Sequence, residues 1–257
     1  MGSKSFGRCI ESGDFDGAVE IARQQIDHGA EILDVCVANP ERDEAADMVH
    51  FLGVLREKGI GVPVMLDSAD SAVLSAALAF LGTASGSYLN AANLEDGSER
   101  DHFAGFVKLA RKYGCTLVVG CIDEEGLALN TERILSIVRR VWGLLPGLRY
   151  HVLFDPLVFP AVDPLRNPTR VPSPDTVLAA VRMIKEQFPG SRTILGISNV
   201  SYGMDEGVRA VANAVFFHHC SQAGLDFAVV DTKGFMPYEV IPAQQREEME
   251  RHLFPRN

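Results

Sequence analysis

The sequence predicts an α/β fold, a TIM (β/α)8-type barrel whose first strand is missing or atypical. Apolar, strand-like runs alternate with helical segments along all 257 residues, without a linker or low-complexity tract. This length is typical of such a barrel. Seven apolar runs carry a polar residue at or near their ends, at intervals of 23 to 44 residues: Asp34, Asp67, Asn90, Asp123, Asp155, Asn199 and Asp231. We therefore expect a single domain, residues 1–257.

Each element follows from the spacing of its apolar residues. Helices are predicted where these residues recur every three to four positions, at 6–28, 40–57, 71–81, 101–113, 131–144, 176–188, 207–223 and 242–253. Within the first of them, Asp14 or Asp16 is predicted to start a second helix. Strands are predicted at the short apolar runs 31–37, 61–67, 87–90, 115–122, 150–155, 192–197 and 225–230.

One strand shows how polar residues reach the predicted site. Thr193 to Ile197 is apolar, as expected for a strand buried on both faces, and Ser198, Asn199 and Ser201 follow at once. Parallel strands bring their carboxyl ends to one face, so the seven strand-end residues should converge there. Seven strands are one short of a closed barrel, which leaves a doubly wound open sheet as an alternative. However, no glycine-rich phosphate-binding turn follows the first strand.

Composition limits the possible partners. The net charge of −10 and the pI of about 5.2 disfavour nucleic acid and an anionic membrane surface. The five cysteines are scattered and form no C-x-x-C pair, which argues against a disulfide framework or a metal site and favours the cytoplasm. No apolar run approaches the 18 or so residues of a membrane span. Cys36 and Cys121 are expected to be small buried residues.

The strand-end residues indicate the chemistry of the ligand. They are carboxylates and carboxamides without a basic cluster, which is unsuited to a phosphate. A neutral heterocycle rich in hydrogen-bond donors fits them better. A 2-amino-4-oxo-pyrimidine presents a ring N–H beside an amino group, and one carboxylate accepts from both. Asp155 or Asp67 is the expected acceptor.

Seven motifs occur in the order of the predicted strands: Leu33-Asp-Val35, Leu66-Asp-Ser68, Leu89-Asn90, Asp123-Glu-Glu-Gly126, Phe154-Asp-Pro156, Ile197-Ser-Asn-Val-Ser201 and Gly224-Leu-Asp226. Together they resemble the pterin-binding methyltransferases, namely the methyltetrahydrofolate–corrinoid methyltransferases and the folate domain of cobalamin-dependent methionine synthase. The likeness spans nearly the whole chain.

The resemblance implies a pterin-binding barrel, usually a homodimer. It would move the N5 methyl group between 5-methyltetrahydrofolate and cobalamin carried by a separate corrinoid protein. Asn199 would be the catalytic residue, near N5. The substrate-binding residues would be Asp34, Asp67, Asn90, Asp155, Asn199 and Ser201. No Asp-x-His-x-x-Gly corrinoid loop occurs in the chain, so cobalamin is expected on the partner.

The chain departs from the family pattern in three places. A strand with a Gly-Glu-Arg-x-Asn run, usual in the family, is absent before Gly2, Cys36 replaces an asparagine, and Ala91 replaces a serine. These differences keep a noncatalytic folate-binding relative as an alternative. Dihydropteroate synthase activity is a less favoured alternative, because Ser198-Asn-Val-Ser201 lacks the basic residues expected to bind the substrates of that enzyme. Arg166 and Arg170, in a proline-rich loop, are candidates to meet the folate tail.

Overall fold

The computed structural model describes residues 3–82, 86–98, 101–161 and 171–255. These form an α/β fold of the TIM-barrel type, as predicted, and group into two compact units, Met1–Val119 and Gly120–Asn257. Residues 162–170, which include Arg166 and Arg170, lie outside the described part of the chain. No helix within the described residues is long and apolar enough to cross a bilayer.

The helices and strands alternate as expected. The helices are α1 (Lys4–Ser12), α2 (Phe15–Asp27), α3 (Glu44–Glu57), α4 (Ser71–Leu81), α5 (Asp101–Tyr113), α6 (Thr131–Leu144), α7 (Pro174–Gln187), α8 (Glu206–Gln222) and α9 (Ala243–Leu253). The strands are β1 (Leu33–Val35), β2 (Val64–Asp67), β3 (Tyr88–Leu94), β4 (Thr116–Asp123), β5 (Gly126–Leu127), β6 (Val152–Asp155), β7 (Arg192–Gly196) and β8 (Phe227–Val229).

In the first unit, β1, β2 and β3 are parallel neighbours, and β4 follows β3 in the sheet. The register pairs Asp67 at the end of β2 with Asn90 in β3. The predicted N-terminal helix is two helices, because Gly13 adopts a left-handed φ of 73°. Asp14 then caps α2 by accepting a hydrogen bond from the Gly17 amide at 2.9 Å, which confirms the second helix start.

In the second unit, β6, β7 and β8 are parallel neighbours. The strand β5 was not predicted; it folds back antiparallel on the end of β4, where Gly126 has a φ of 89°. The other seven strands correspond to those predicted, although β3 continues to Leu94, beyond its predicted end at Asn90. Side chains of β7, α8 and α9 share a buried core that includes Leu195, Phe216 and Leu253.

Asp226 holds the start of β7 in place. Its carboxylate accepts hydrogen bonds from the backbone amide of Thr193 at 2.8 Å and from the Thr193 hydroxyl at 3.2 Å. Lys185 of α7 donates to the same carboxylate at 2.8 Å and to the carbonyl of Ser191 at 2.9 Å. The strand that ends just before Asn199 is therefore tied at its other end to both α7 and the start of β8.

Removal of the Asp226 carboxylate should destabilise the protein. We expect Asp226→Ala to lower the free energy of unfolding by about 2 kcal/mol, because it leaves the buried Thr193 amide without its acceptor. Asp226→Asn retains an acceptor for Thr193 and should lose less. Urea denaturation of both variants and the wild type measures the difference, and equal losses in the two variants would contradict this role.

Candidate ligand-binding site

Three of the predicted residues come together in the first unit. Asp34 lies in β1, Asp67 ends β2, and Asn90 is its partner in β3. The Asn90 carboxamide donates a hydrogen bond to the Asp34 carboxylate, and Asp67 is close enough to Asp34 to affect its ionisation. The parallel strand ends thus gather two carboxylates and one carboxamide, as the sequence predicted for these three.

Partial desolvation and the proximity of the two carboxylates raise the pKa values of this pair. Desolvation, and then the negative charge of Asp67, raise the pKa of Asp34 to about 7. Desolvation also raises the pKa of Asp67, although a hydrogen bond from the Cys36 thiol opposes the increase. Asp34 is accessible to solvent, so water screens part of this effect. Near neutral pH the pair therefore retains a proton more readily than two isolated aspartates would.

Asp67 also lines a cavity of about 500 Å³ within the first unit. Its polar lining includes Cys36, Glu44, Asp67, Ser68, Asp70 and His102. Neither lysine nor arginine is among the described residues that line it. Such a cavity favours a ligand that donates hydrogen bonds over one that carries phosphate.

Cys36 differs from the expectation for a small buried residue. Cys36 is exposed, and its thiol donates a hydrogen bond to the Asp67 carboxylate. Cys121 is buried, as predicted. Desolvation and nearby carboxylates raise the pKa of the Cys36 thiol to about 11, so it remains protonated at neutral pH. Cys36 therefore acts as a hydrogen-bond donor within the site and is not an activated nucleophile.

Two polar atoms in residues that line this cavity have no hydrogen-bond partner. They are Oε1 of Glu44 and Nε2 of His102. Both atoms are buried, although the two residues as a whole are partly accessible to solvent. Neither residue was predicted from the sequence, since each lies in the first turn of a helix, where acidic and polar residues are common. No signal in the sequence distinguishes them from ordinary first-turn residues.

The second unit places Asp155 at the end of β6. One carboxylate oxygen accepts a hydrogen bond from the Leu157 amide at 2.8 Å, and Leu157 adopts a positive φ of 69°. Burial raises the pKa of Asp155 to about 7, although the Leu157 bond opposes this increase. The carboxylate retains acceptor capacity for a ligand, because this is the one hydrogen bond that the structure describes for it.

Asn199 lies in a 3₁₀ turn, residues Ile197–Ser201, directly after β7. It is exposed, and Gly196 leaves room for it, since a Cβ on Gly196 would lie 3.0 Å from the Asn199 amide nitrogen. Ser201 differs from its predicted role as a ligand contact. It is fully buried, and its hydroxyl donates to the Ser198 carbonyl at 3.1 Å and accepts from Arg209 at 3.3 Å. Ser201 therefore holds the turn that carries Asn199.

Two other strand-end aspartates have structural contacts. Asp123, one of the seven strand-end residues, is buried, forms an ion pair with Arg133 and accepts from the Glu125 amide at 3.1 Å. Asp231 accepts from the Lys233 amide at 3.2 Å and caps a 3₁₀ turn. These contacts explain both residues without a ligand.

The fold and these side chains define the chain as an α/β barrel-type protein with carboxylates and carboxamides at or near the ends of its strands. The sequence then identifies the family. The model of the pterin-binding enzymes matches residues 2–231, and the chain belongs to this family. The resemblance inferred from the strand-end motifs is thereby confirmed.

Curated relatives are similar over almost the whole chain. The methionine synthase of Mycobacterium tuberculosis is 34% identical over 253 residues, 95% of this chain and 21% of the relative. That of Mycobacterium leprae is 33% identical over 254 residues, 96% of this chain and 20% of the relative. The chain thus spans about a fifth of the length of these relatives.

A solved structure confirms the fold. Dihydropteroate synthase from Xanthomonas albilineans superposes with a TM-score of 0.60 over 86% of this chain and 80% of that one. Its sequence identity is 17%, so the likeness concerns the fold alone.

The raised pKa of Asp155 predicts how stability varies with pH. Its pKa is about 7 in the folded protein and near 4 in the unfolded chain. The protonated carboxyl therefore contributes fully to the free energy of unfolding below about pH 4, and this contribution is lost as the pH rises to about 7. Asp155→Asn keeps an acceptor for Leu157 but does not titrate. We expect the variant to gain stability over the wild type by on the order of 2 kcal/mol between pH 4 and pH 8.

Urea denaturation at several pH values measures this difference. Titrations elsewhere in the protein affect both proteins equally and cancel. A stability difference that does not change between pH 4 and pH 8 would show that Asp155 is ionised normally.

Proposed function

We propose that this chain binds 5-methyltetrahydrofolate and transfers its N5 methyl group to the cobalt of cobalamin held by a corrinoid protein. The observation that carries the proposal is the similarity to methionine synthases across 95% of the chain. Membership of the pterin-binding family agrees with it. The acidic cavity supports the same ligand class, because a reduced pterin is rich in N–H donors.

The pterin-binding residues are proposed to be Asp34, Asp67, Asn90 and Asp155. Asp155, with one backbone donor in the protein, is the best placed to accept from the ring N–H and amino group together. Ionised Asp155 is required for this bidentate bond. Burial makes that ionisation costly in the free protein, and two ligand donors would offset the cost.

Asn199 is proposed to assist the departure of the methyl group. The reaction breaks the N5–C bond and forms a cobalt–carbon bond; Co(I) supplies the electron pair, and N5 gains a proton as tetrahydrofolate leaves. A carboxamide N–H that donates to N5 as negative character develops there stabilises the transition state more than the ground state. The proton would come from water relayed by Asp34 or Asp67, both of which have a raised pKa.

Cobalamin is the second substrate in this proposal, and the partner is a corrinoid protein or domain. The resemblance also implies a homodimer, which sedimentation would test. Titration calorimetry with 5-methyltetrahydrofolate, together with the absorbance of cob(I)alamin, tests the activity. Binding with no loss of the Co(I) band would favour a noncatalytic folate-binding protein. Absence of binding would exclude both folate functions.

Substitution of Asn199 separates catalysis from binding. We expect Asn199→Ala to lower the rate of methyl transfer about 100-fold, with a smaller effect on folate affinity, since the lost bond strengthens mainly in the transition state. Gly196→Ala should lower the rate by less, because its methyl group displaces the carboxamide without removing it. Gln245→Ala, an exposed carboxamide on α9, is the control. An unchanged rate of methyl transfer in Asn199→Ala would contradict the catalytic role proposed for Asn199.

Substitution of Asp155 tests recognition of the pterin. Asp155→Asn should weaken binding of 5-methyltetrahydrofolate by about 10-fold or more, since an amide cannot accept from both donors. In the wild type, affinity should increase as the pH rises through about 7, as Asp155 ionises. Calorimetry measures both effects, and Asp231→Asn, which alters a capping residue, serves as the control. Equal affinity of Asp155→Asn and the wild type would contradict the assignment.

A further inference from the structure

Leu157 has an unusual backbone conformation directly beside the proposed pterin acceptor. Of the non-glycine residues that the structure describes, it alone has a left-handed φ, at 69°. A bulky residue rarely adopts this conformation, because its Cβ then lies too close to the following carbonyl. Such strain persists only where the surrounding structure imposes it, and it is concentrated at functional sites. The fold must therefore impose this conformation on Leu157.

Fixed points on both sides of Leu157 account for the turn. The strand β6 ends directly before Pro156, whose ring restricts its own φ and removes its amide donor. Val158 then belongs to the same buried core as Val200, so the chain turns at Leu157 on its way from the strand to the core. Further along, the Ala161 amide donates to the Val200 carbonyl at 2.8 Å. The fold thus holds the chain both before and after the turn.

The turn brings the Leu157 amide to the Asp155 carboxylate. This N–H donates to Oδ1 of Asp155 at 2.8 Å, and Pro156, which lies between the two residues, has no N–H to offer. The bond opposes the increase in the pKa of Asp155 that burial causes, because it favours the ionised carboxylate. It also fixes one oxygen, so that the remaining lone pairs of the carboxylate have a defined orientation.

One other titratable group is coupled to Asp155. Within the described residues, Cys121 of β4 is the side chain whose pKa the charge of Asp155 affects. Burial, and then this charge, raise the pKa of the Cys121 thiol, so the thiol stays protonated near neutral pH. A change in ligand affinity near neutral pH can therefore be assigned to Asp155 and not to Cys121.

We propose that Leu157 is a positioning residue for pterin recognition, whose left-handed backbone holds the Asp155 carboxylate in the orientation that accepts the two pterin donors. The inference rests on the proposed folate-binding function and adds to it a residue that acts through Asp155. The amide bond also favours the ionised carboxylate, which is the form that accepts both donors. The backbone supplies this bond, so the leucine side chain is not needed for the role.

Comparison of Leu157→Gly with Leu157→Ala tests the backbone conformation. Both variants lack the leucine side chain and keep the amide, but alanine must bear the left-handed conformation that glycine adopts without strain. We expect Leu157→Gly to have a Tm about 2 to 4 °C above that of Leu157→Ala. An equal or higher Tm for the alanine variant would overturn the inference, since it would show that position 157 is not strained.

Leu157→Val tests the role in binding. A β-branched side chain is poorly compatible with a left-handed φ, so the backbone should move and weaken the bond to Asp155. We expect this variant to bind 5-methyltetrahydrofolate about 10-fold more weakly at about pH 7, and the pH at which affinity increases to rise by about one pH unit. The difference from the wild type should narrow toward about pH 9. Leu157→Gly and Leu157→Ala should stay within about 3-fold of the wild type at each pH.

Titration calorimetry between about pH 6 and about pH 9 measures these affinities. Leu144→Val, the same substitution at an exposed leucine of α6, is the control. If Leu157→Val binds as tightly as the wild type, or more weakly by the same factor at every pH, Leu157 does not position Asp155 and the inference is wrong.

Stability measured without ligand separates this inference from the proposed function. Failure of the wild type to bind folate would overturn the proposed function. Urea denaturation would still test the control of Asp155 by Leu157, because the stability lost in Leu157→Val should increase as the pH rises from about 6 to about 9 and Asp155 ionises. A loss of stability that is independent of pH would contradict that control.

Discussion

Removal of carboxylates from water at the strand ends is the constraint on which the site depends. Burial raises the pKa of Asp155 to about 7, and burial with a neighbouring charge does the same for Asp34. The protein provides few donors in compensation: the Leu157 amide for Asp155, Asn90 for Asp34 and the Cys36 thiol for Asp67. The acceptor capacity that remains is what a donor-rich ligand can use.

The framework holds these groups through backbone contacts that lie away from them. Asp226 fixes the start of β7 through the Thr193 amide, and the turn after β7 is closed by the buried Ser201 hydroxyl. Gly196 leaves the space that the Asn199 carboxamide occupies. A residue with a side chain at position 196 would displace the amide nitrogen that the proposed mechanism needs. Within the second unit, the position of Asn199 is therefore set by its neighbours in the chain as much as by its own contacts.

The sequence predicts the parts of the site that follow from strand periodicity. The convergence of Asp67 and Asn90 could be predicted, because parallel strands bring polar residues near their carboxyl ends to one face, although β3 continues past Asn90 to Leu94. Asp123 could not be interpreted in the same way, since its burial depends on Arg133 from the next helix. Glu44 and His102 could not be predicted either, because they share a cavity only in the folded chain. The binding of one ligand by residues of both units remains a prediction from the sequence.

The chemistry of the site must be argued from its side chains, because the fold is shared with enzymes of other activities. Dihydropteroate synthase from Xanthomonas albilineans has the same fold at 17% identity. The cavity beside Asp67 has no lysine or arginine among its described lining residues and includes three carboxylates, from Glu44, Asp67 and Asp70. An anionic group placed there would be repelled, whereas N–H donors would relieve the desolvated carboxylates. The groups that cost the free protein stability are thus the same groups that select a reduced pterin as ligand in the proposed function.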